Sequence, residues 1–147
     1  DELVNQKVHG ALSVGLKPIM CVGETLEERE AERFVEVVVG QVREGLQNLS
    51  PEQMDEMVIA YEPVWAIGTG KTASPDQAEE MHREIRNAVC EFYGNDVSDK
   101  LRILYGGSVK PGNAKELMSL ENVDGALVGG ASLVASDFAA IIKSTLN

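Results

Sequence analysis

The segment Ala60-Tyr61-Glu62-Pro63-Val64-Trp65-Ala66-Ile67-Gly68-Thr69-Gly70-Lys71 joins a short apolar run to a loop that contains one proline and two glycines. The carboxylate Glu62 stands at the junction between them. Pro63 fixes its own φ and favours extended backbone at Glu62, whereas Gly68 and Gly70 can adopt conformations that other residues avoid. A loop of this composition can position a carboxylate and still move. The segment therefore predicts a catalytic base beneath a lid.

Four short apolar runs predict the strands of a parallel sheet. They cover residues 19–22, 58–61, 103–105 and 126–128, and none alternates between apolar and polar residues. Strands that are covered on both faces have this pattern. Amphipathic stretches between the runs predict helices at residues 4–12, at 26–46, after the capping box Ser74-Pro75-Asp76-Gln77, from 113–116 onward, and at 137–146. The helix after the capping box should bury Ala78, Met81, Ile85, Val89 and Phe92.

The alternation of helices and strands predicts one α/β domain over residues 1–147. Parallel neighbouring strands need right-handed βαβ crossovers, and no linker or low-complexity tract interrupts the series. Asp1 leads straight into a helical pattern, so we expect the sequence to begin partway through a longer protein.

Composition and charge argue against several classes of partner. A formal net charge of −11 would repel both nucleic acid and an anionic membrane surface. No apolar run approaches the roughly 20 residues that span a bilayer, and no signal-peptide pattern opens the chain. Cys21 and Cys90 have neither metal-ligand nor CxxC spacing, which predicts free thiols in a reducing cytosol.

Glycine-rich turns follow the last two predicted strands. One is Gly106-Gly107-Ser108 and the other is Gly129-Gly130. Ligands of parallel α/β folds bind at the carboxyl ends of the strands, where glycine lets backbone N–H groups approach an anion closely. The two turns therefore predict a phosphate site.

We expect the other polar residues that could carry chemistry to have mainly structural roles. Glu24 is expected to be a structural cap or a loop anchor before the Glu-rich helix, and Cys21 to be a buried small side chain. His82 is expected on a helix surface or partly buried. Lys71 and Lys110 could steer a phosphate, although exposed lysines beside loops usually only keep a protein soluble.

Three motifs in this sequence resemble the triosephosphate isomerase family. They are AYEPVWAIGTGK at residues 60–71, YGGSVKP at 105–111 and DGALVGGASL at 124–133, in the order and approximate spacing of that family. The resemblance runs from Asp1 to the C-terminus but covers only the second half of the enzyme, from the fourth helix of the barrel to the eighth. It implies four of the eight strands of a (β/α)8 TIM barrel. The substrate-binding lysine and the neighbouring asparagine that follow strand one of that family, and the electrophilic histidine that follows strand four, belong to the other half.

The resemblance also implies a role for each matching residue. Glu62 is implied as the base that shuttles a proton between two substrate carbons, beneath a mobile lid whose closure excludes water. The implied phosphate donors are the backbone amides of Gly68, Ser108, Gly129 and Gly130. The implied lid and enclosure comprise Pro63, Val64, Trp65, Ala66, Ile67, Thr69, Gly70, Lys71, Thr72, Ala73 and Leu127. No metal or cofactor is implied.

The resemblance implies a cytoplasmic glycolytic isomerase that acts on a small phosphorylated triose. We expect the isolated chain to be inactive without the N-terminal half, and full-length family members to be homodimers. Two alternatives remain: a non-catalytic half-barrel that self-associates and binds phosphate, and a different phosphate-binding barrel enzyme. The complete lid motif argues against the second alternative.

Overall fold

The computed structural model describes residues 1–69 and 71–146, so Gly70 of the predicted lid tip and Asn147 lie outside the described residues. The strands are β1 (Ile19–Val22), β2 (Val58–Tyr61), β3 (Arg102–Tyr105) and β4 (Gly125–Ala126). The helices are α1 (Glu2–Ser13), α2 (Leu26–Glu30), α3 (Phe34–Gly45), α4 (Pro51–Met54), α5 (Pro75–Tyr93), α6 (Asn95–Ser98), α7 (Pro111–Leu117) and α8 (Ala135–Ser144). Among the described residues, no helix is both long and apolar enough to cross a membrane.

All four strands are parallel and lie in sequence order, β1-β2-β3-β4. Val22 pairs with Tyr61, Tyr61 with Tyr105, and Tyr105 with Ala126, which brings the carboxyl ends of the strands to one edge of the sheet. The predicted α/β class with four parallel strands is therefore confirmed. β4 is shorter than predicted, although the Leu127 amide still donates to the Tyr105 carbonyl at 2.9 Å.

The helix predicted over residues 26–46 is wrong as a single element, because α2 and α3 are separate. Glu32 adopts a positive φ of 55° between them. The amides of Glu32 and Arg33 donate to the carbonyls of Arg29 and Glu28, at 3.1 and 2.9 Å. These two bonds form a Schellman motif, which satisfies the last carbonyls of α2 and ends it.

The capping box that opens α5 is present, since the Ser74 hydroxyl accepts from the Gln77 amide and the Gln77 side chain accepts from the Ser74 amide. The helix buries Ala78, Met81, Ile85 and Val89 as predicted. Two predictions about this helix are wrong. Phe92 is 38% exposed, and His82 is fully buried against the rings of Tyr61 and Tyr105.

Four further helices differ from the predictions at their ends or in their existence. α7 begins at Pro111, two residues before the predicted start, and α8 covers 135–144 in place of 137–146. α4 and α6, of four residues each, were not predicted. The core lies between the sheet and α3, α5 and α7, and it is formed mainly by aliphatic side chains.

Candidate active site

A cleft of about 690 Å³ opens at the carboxyl edge of the sheet. Its wall includes Glu62 after β2, Ile67 and Gly68 of the predicted lid, and the glycine-rich turns after β3 and β4. The predicted residues that line it are Glu62, Ile67, Gly68, Ser108, Leu127, Gly129 and Gly130. The structure thus brings the candidate base, the tip of the candidate lid and the candidate anion donors to one cavity.

Glu62 is held at the end of β2 by backbone pairing on both sides. Its amide donates to the Val22 carbonyl at 2.7 Å, and the Gly106 amide donates to the Tyr61 carbonyl at 2.8 Å. These bonds continue the sheet ladder by one residue beyond β2. Glu62 is half-buried and lines the cleft.

Two glycines leave the space that Glu62 occupies, and the sequence reading did not assign this function to either. A Cβ at Gly106 would lie 2.5 Å from Glu62 Cγ and 3.1 Å from Glu62 Oε1. A Cβ at Gly23 would overlap the carbonyl of Glu62 itself. Gly106 was interpreted only as part of an anion-binding turn. Gly23 follows β1 and Gly106 follows β3, the two strands that flank β2. These paired glycines beside Glu62 were the sequence signal that could have predicted the close packing.

Cys21 is exposed, so the prediction of a buried small side chain is wrong. Along β1, Ile19 and Cys21 are exposed whereas Met20 and Val22 are buried, so Cys21 lies on a face of the strand that no described residue covers. It shares a second cavity, of about 200 Å³, with Glu62. Partial desolvation of the thiol raises the pKa of Cys21, and the negative charge and hydrogen bonding of Glu62 raise it further.

The lid segment begins with a 3-10 turn at Val64–Ala66, in which the Ala66 amide donates to the Pro63 carbonyl at 2.8 Å. Gly68 adopts a positive φ of 67°, a conformation that glycine accepts without steric cost. The Thr69 hydroxyl donates to the Trp65 carbonyl at 2.8 Å. The exposed residues of the segment are Val64, Ile67, Gly68, Thr69, Lys71 and Thr72, whereas Pro63, Ala66 and Ala73 are buried.

Glu24 has the structural role that the sequence predicts, but the segment it anchors is the start of the lid, which the sequence did not indicate. Its fully buried carboxylate accepts hydrogen bonds from Trp65 Nε1 at 2.9 Å and from the Tyr61 hydroxyl at 3.1 Å. Arg29 supplies a counter-charge at 3.4 Å. Burial, followed by the charge of Glu24, raises the pKa of Tyr61, so this phenol remains a hydrogen-bond donor. The carboxylate therefore connects β2, α2 and the lid.

Backbone amides around the cleft are available to bind an anion. The amides of Gly68, Ser108, Gly129 and Gly130 donate no hydrogen bond to any oxygen of residues 1–69 and 71–146. At the last turn, the Ser132 amide and hydroxyl both donate to the Gly129 carbonyl, at 2.9 and 2.7 Å. This turn fixes the peptide backbone beside two of the four free donors.

Side-chain contacts connect the Ser108 turn to the lid and to α7. Ser108 Oγ donates to the Ala66 carbonyl at 3.0 Å, and Asn113 Nδ2 donates to the Ser108 carbonyl at 3.0 Å. The Ser108 amide is thereby held between two neighbouring elements. Within the described part of the chain, no three His, Cys, Asp or Glu side chains form a group that could hold a metal ion.

Comparison with known proteins gives a single family. The family model described as triosephosphate isomerase matches residues 1–145. A triosephosphate isomerase of Fusobacterium nucleatum is 57% identical over 144 residues, which are 98% of this chain and 57% of the relative. Those of Chloroherpeton thalassium and Chlorobium phaeobacteroides are 60% and 59% identical, with the same coverage. The chain therefore spans little more than half the length of the curated relatives it matches.

Proposed function

The chain belongs to the triosephosphate isomerase family, and on that premise we propose that it supplies the base, the lid and the phosphate cradle of an enzyme that interconverts dihydroxyacetone phosphate and glyceraldehyde 3-phosphate. The observation that carries this proposal is the cleft in which Glu62 and four unpaired backbone amides meet. A carboxylate base and neutral anion donors are two of the groups that this substrate requires. Neutral amides can hold a dianion even in a chain whose net charge is −11.

In the proposed reaction, a Glu62 carboxylate oxygen takes a proton from C1 of dihydroxyacetone phosphate. The C–H electron pair forms the C1–C2 double bond of an enediolate, and the carbonyl electrons move to the C2 oxygen. Return of the proton from Glu62 to C2, with proton exchange between the two oxygens, gives glyceraldehyde 3-phosphate. A positioned general base of this kind accelerates a reaction by about 100-fold or more.

The lid would exclude water from this proton transfer. Ile67 is 46% exposed at the tip of the described lid segment, and Leu127 is half-buried in the facing wall of the same cleft. Their approach on lid closure would cover Glu62 with apolar groups. Removing water disfavours the charged form of a carboxylate and makes it a stronger base.

We also propose that the active assembly includes a complementary N-terminal half. Both edges of the sheet, β1 and β4, lack a neighbouring strand among the described residues. Cavities of about 200 and 450 Å³ adjoin them, and the second is lined mainly by apolar residues. Exposed edges and apolar patches of this kind are normally covered in a native protein. The groups that stabilise charge on the enediolate oxygen would come from that half, so the isolated chain should show little activity. Homodimerisation and action in the cytoplasm belong to the same proposal.

The same open edges would favour the alternative, a phosphate-binding half-barrel that pairs with a second copy. Native mass spectrometry separates the two possibilities. Association of the chain with a peptide that comprises the first four βα units, at equal stoichiometry, supports the complementary half. A stable homo-oligomer that excludes this peptide would support the alternative.

An isomerase assay on the two-part assembly tests the chemistry. Glu62→Gln keeps the shape of the side chain but cannot accept the proton, so kcat should fall by at least about 100-fold. Glu91→Gln, an exposed carboxylate on α5 and outside the cleft, is the matched control and should leave kcat unchanged. Near-normal turnover of Glu62→Gln would remove this residue from the mechanism. Substantial activity of the isolated chain would instead show that the complementary half is not required.

A further inference from the structure

Three charged side chains line the cleft within the described part of the chain. Glu62 and Asp137 are carboxylates, and Lys110 is the one basic side chain among the described lining residues. The formal charge of the lining is therefore −1, in a protein whose formal net charge is −11. A phosphate ester carries between one and two negative charges near neutral pH, so these fixed charges decide how strongly it is drawn into the cleft.

Lys110 is free to act on a bound anion. No carboxylate of residues 1–69 or 71–146 lies within 4.0 Å of its ammonium group. Its backbone is nevertheless fixed, because the Lys110 amide donates to Asn113 Oδ1 at 2.7 Å. The other end of the same amide side chain, Asn113 Nδ2, donates to the Ser108 carbonyl at 3.0 Å. Asn113 therefore holds Lys110 and the candidate phosphate donor Ser108 in one rigid turn.

Asp137 lies on another wall of the cleft, in the first turn of α8. Among the described residues no basic group pairs with it, since its nearest side-chain partner is the Ser136 hydroxyl at 3.5 Å. Asp137 is half-buried and lines the same cavity as Gly129 and Gly130. A carboxylate in this place opposes a bound anion, while its position in the first turn of α8 also favours that helix through the helix dipole.

We propose that Lys110 and Asp137 determine the charge selectivity of this cleft: Lys110 favours a dianionic over a monoanionic ligand, and Asp137 opposes Lys110. The inference rests on the proposed function of the cleft as a phosphate cradle. The Coulomb energy is proportional to the ligand charge, so each side chain acts twice as strongly on a dianion. At a separation of about 7 Å in aqueous surroundings, one unit charge changes the affinity for a dianion roughly fivefold and that for a monoanion roughly twofold.

Two anions of fixed charge and similar oxygen geometry provide the test. Sulfate is a dianion and methanesulfonate a monoanion throughout the neutral range, so no titration of the ligand complicates the comparison. Their dissociation constants are measured on the chain by the NMR shifts of the Ser108, Gly129 and Gly130 amides. Lys110→Met should weaken sulfate binding roughly fivefold and methanesulfonate binding roughly twofold, whereas Asp137→Asn should strengthen both by similar factors.

Two control variants on α7 each remove one charge outside the cleft, one positive and one negative. Lys115→Met and Glu116→Gln change exposed residues that do not line the cavity, so they should leave both dissociation constants within twofold of the unmodified chain. Lys110→Arg keeps the positive charge and should retain the preference for sulfate. Rescue by arginine would not be expected if Lys110 acted only through packing.

The outcomes separate this inference from the function on which it rests. If sulfate shifts the three amides equally in all variants and with one dissociation constant, the charge-selectivity inference is overturned and the cradle stands. If sulfate shifts none of these amides in the unmodified chain, both the inference and the proposed cradle are overturned. Opposite effects of Lys110→Met and Asp137→Asn, larger for sulfate than for methanesulfonate, support the inference.

Discussion

Replacement of Gly106 by alanine should displace Glu62 without removing any functional group. The new Cβ would lie 2.5 Å from Glu62 Cγ and 3.3 Å from Glu62 Cδ. Non-bonded carbon atoms prefer about 3.5 to 4.0 Å, so the Glu62 side chain must move by about 1 Å. Since a misplacement of about 1 Å can cost 100-fold in rate, we expect kcat of the two-part assembly to fall by about that factor.

A control variant separates the steric effect of the methyl group on Glu62 from the general effect of a glycine-to-alanine change on the backbone. Gly112→Ala is the control, because a Cβ there meets nothing within 4 Å and the residue lies in α7. It should leave kcat unchanged and alter the free energy of unfolding by no more than about 1 kcal/mol. Overpacking at Gly106 should cost about 1 to 3 kcal/mol, which urea denaturation measures.

The relative changes in kcat and KM of the Gly106→Ala variant show whether the base or the phosphate donors are disturbed. The three atoms nearest to the new methyl group all belong to Glu62, so the direct steric effect falls on the base and not on the phosphate donors. KM should therefore change much less than kcat. A folded Gly106→Ala variant whose kcat lies within threefold of the unmodified assembly would refute the argument that this glycine exists to make room for the base.

Three further predictions concern stability. Burial lowers the pKa of His82 below its ordinary 6.5, so the unfolded chain binds more protons at acidic pH. The stability that neutral His82 provides is then fully present above about pH 6.5 and falls as pH decreases, by at most about 1.4 kcal/mol per pH unit. Urea denaturation at several pH values should show a smaller slope for His82→Gln, and equal slopes would contradict this origin. Trp65→Phe removes a donor from buried Glu24 and should cost about 1 to 3 kcal/mol; an unchanged denaturation midpoint would show that the bond contributes nothing. Ser74→Ala removes the cap of α5 and should lower the free energy of unfolding by about 1 kcal/mol. An unchanged melting temperature would contradict this prediction.

The elements that were predictable from the sequence have local causes. β1 and β2 have the predicted bounds because apolar runs of four residues lie between polar ends. α5 begins where predicted because Ser74, Pro75 and Gln77 together specify a helix start. The same signal precedes α4, where Ser50 and Gln53 form a capping box after which only four helical residues follow. The start of α4 could therefore have been predicted from the sequence, whereas its length of four residues could not.

The incorrect predictions concern properties that depend on tertiary neighbours. The break at Glu32 results from a positive φ at a residue that rarely adopts one, so composition alone did not indicate it. His82 is buried because it faces the rings of Tyr61 and Tyr105 from the adjacent strands. Cys21 is exposed because it lies on the uncovered face of β1, along which exposed and buried residues alternate. Burial in these cases follows from the neighbours, which periodicity does not identify.

The contacts around the lid show how Glu62 can keep its place while the lid tip changes position. The first turn of the lid is connected to the rest of the protein at three points: the Val64 amide to the Glu24 carbonyl at 3.0 Å, the Trp65 indole to the Glu24 carboxylate at 2.9 Å, and the Ala66 carbonyl to Ser108 Oγ at 3.0 Å. Residues 67–69 make only local hydrogen bonds among the described residues. A displacement of the tip can therefore occur beyond Ala66, whereas Glu62 remains held by the sheet ladder and by the first turn. In the proposed mechanism, this fixed turn between Glu62 and the tip would let the lid admit a ligand without moving the carboxylate.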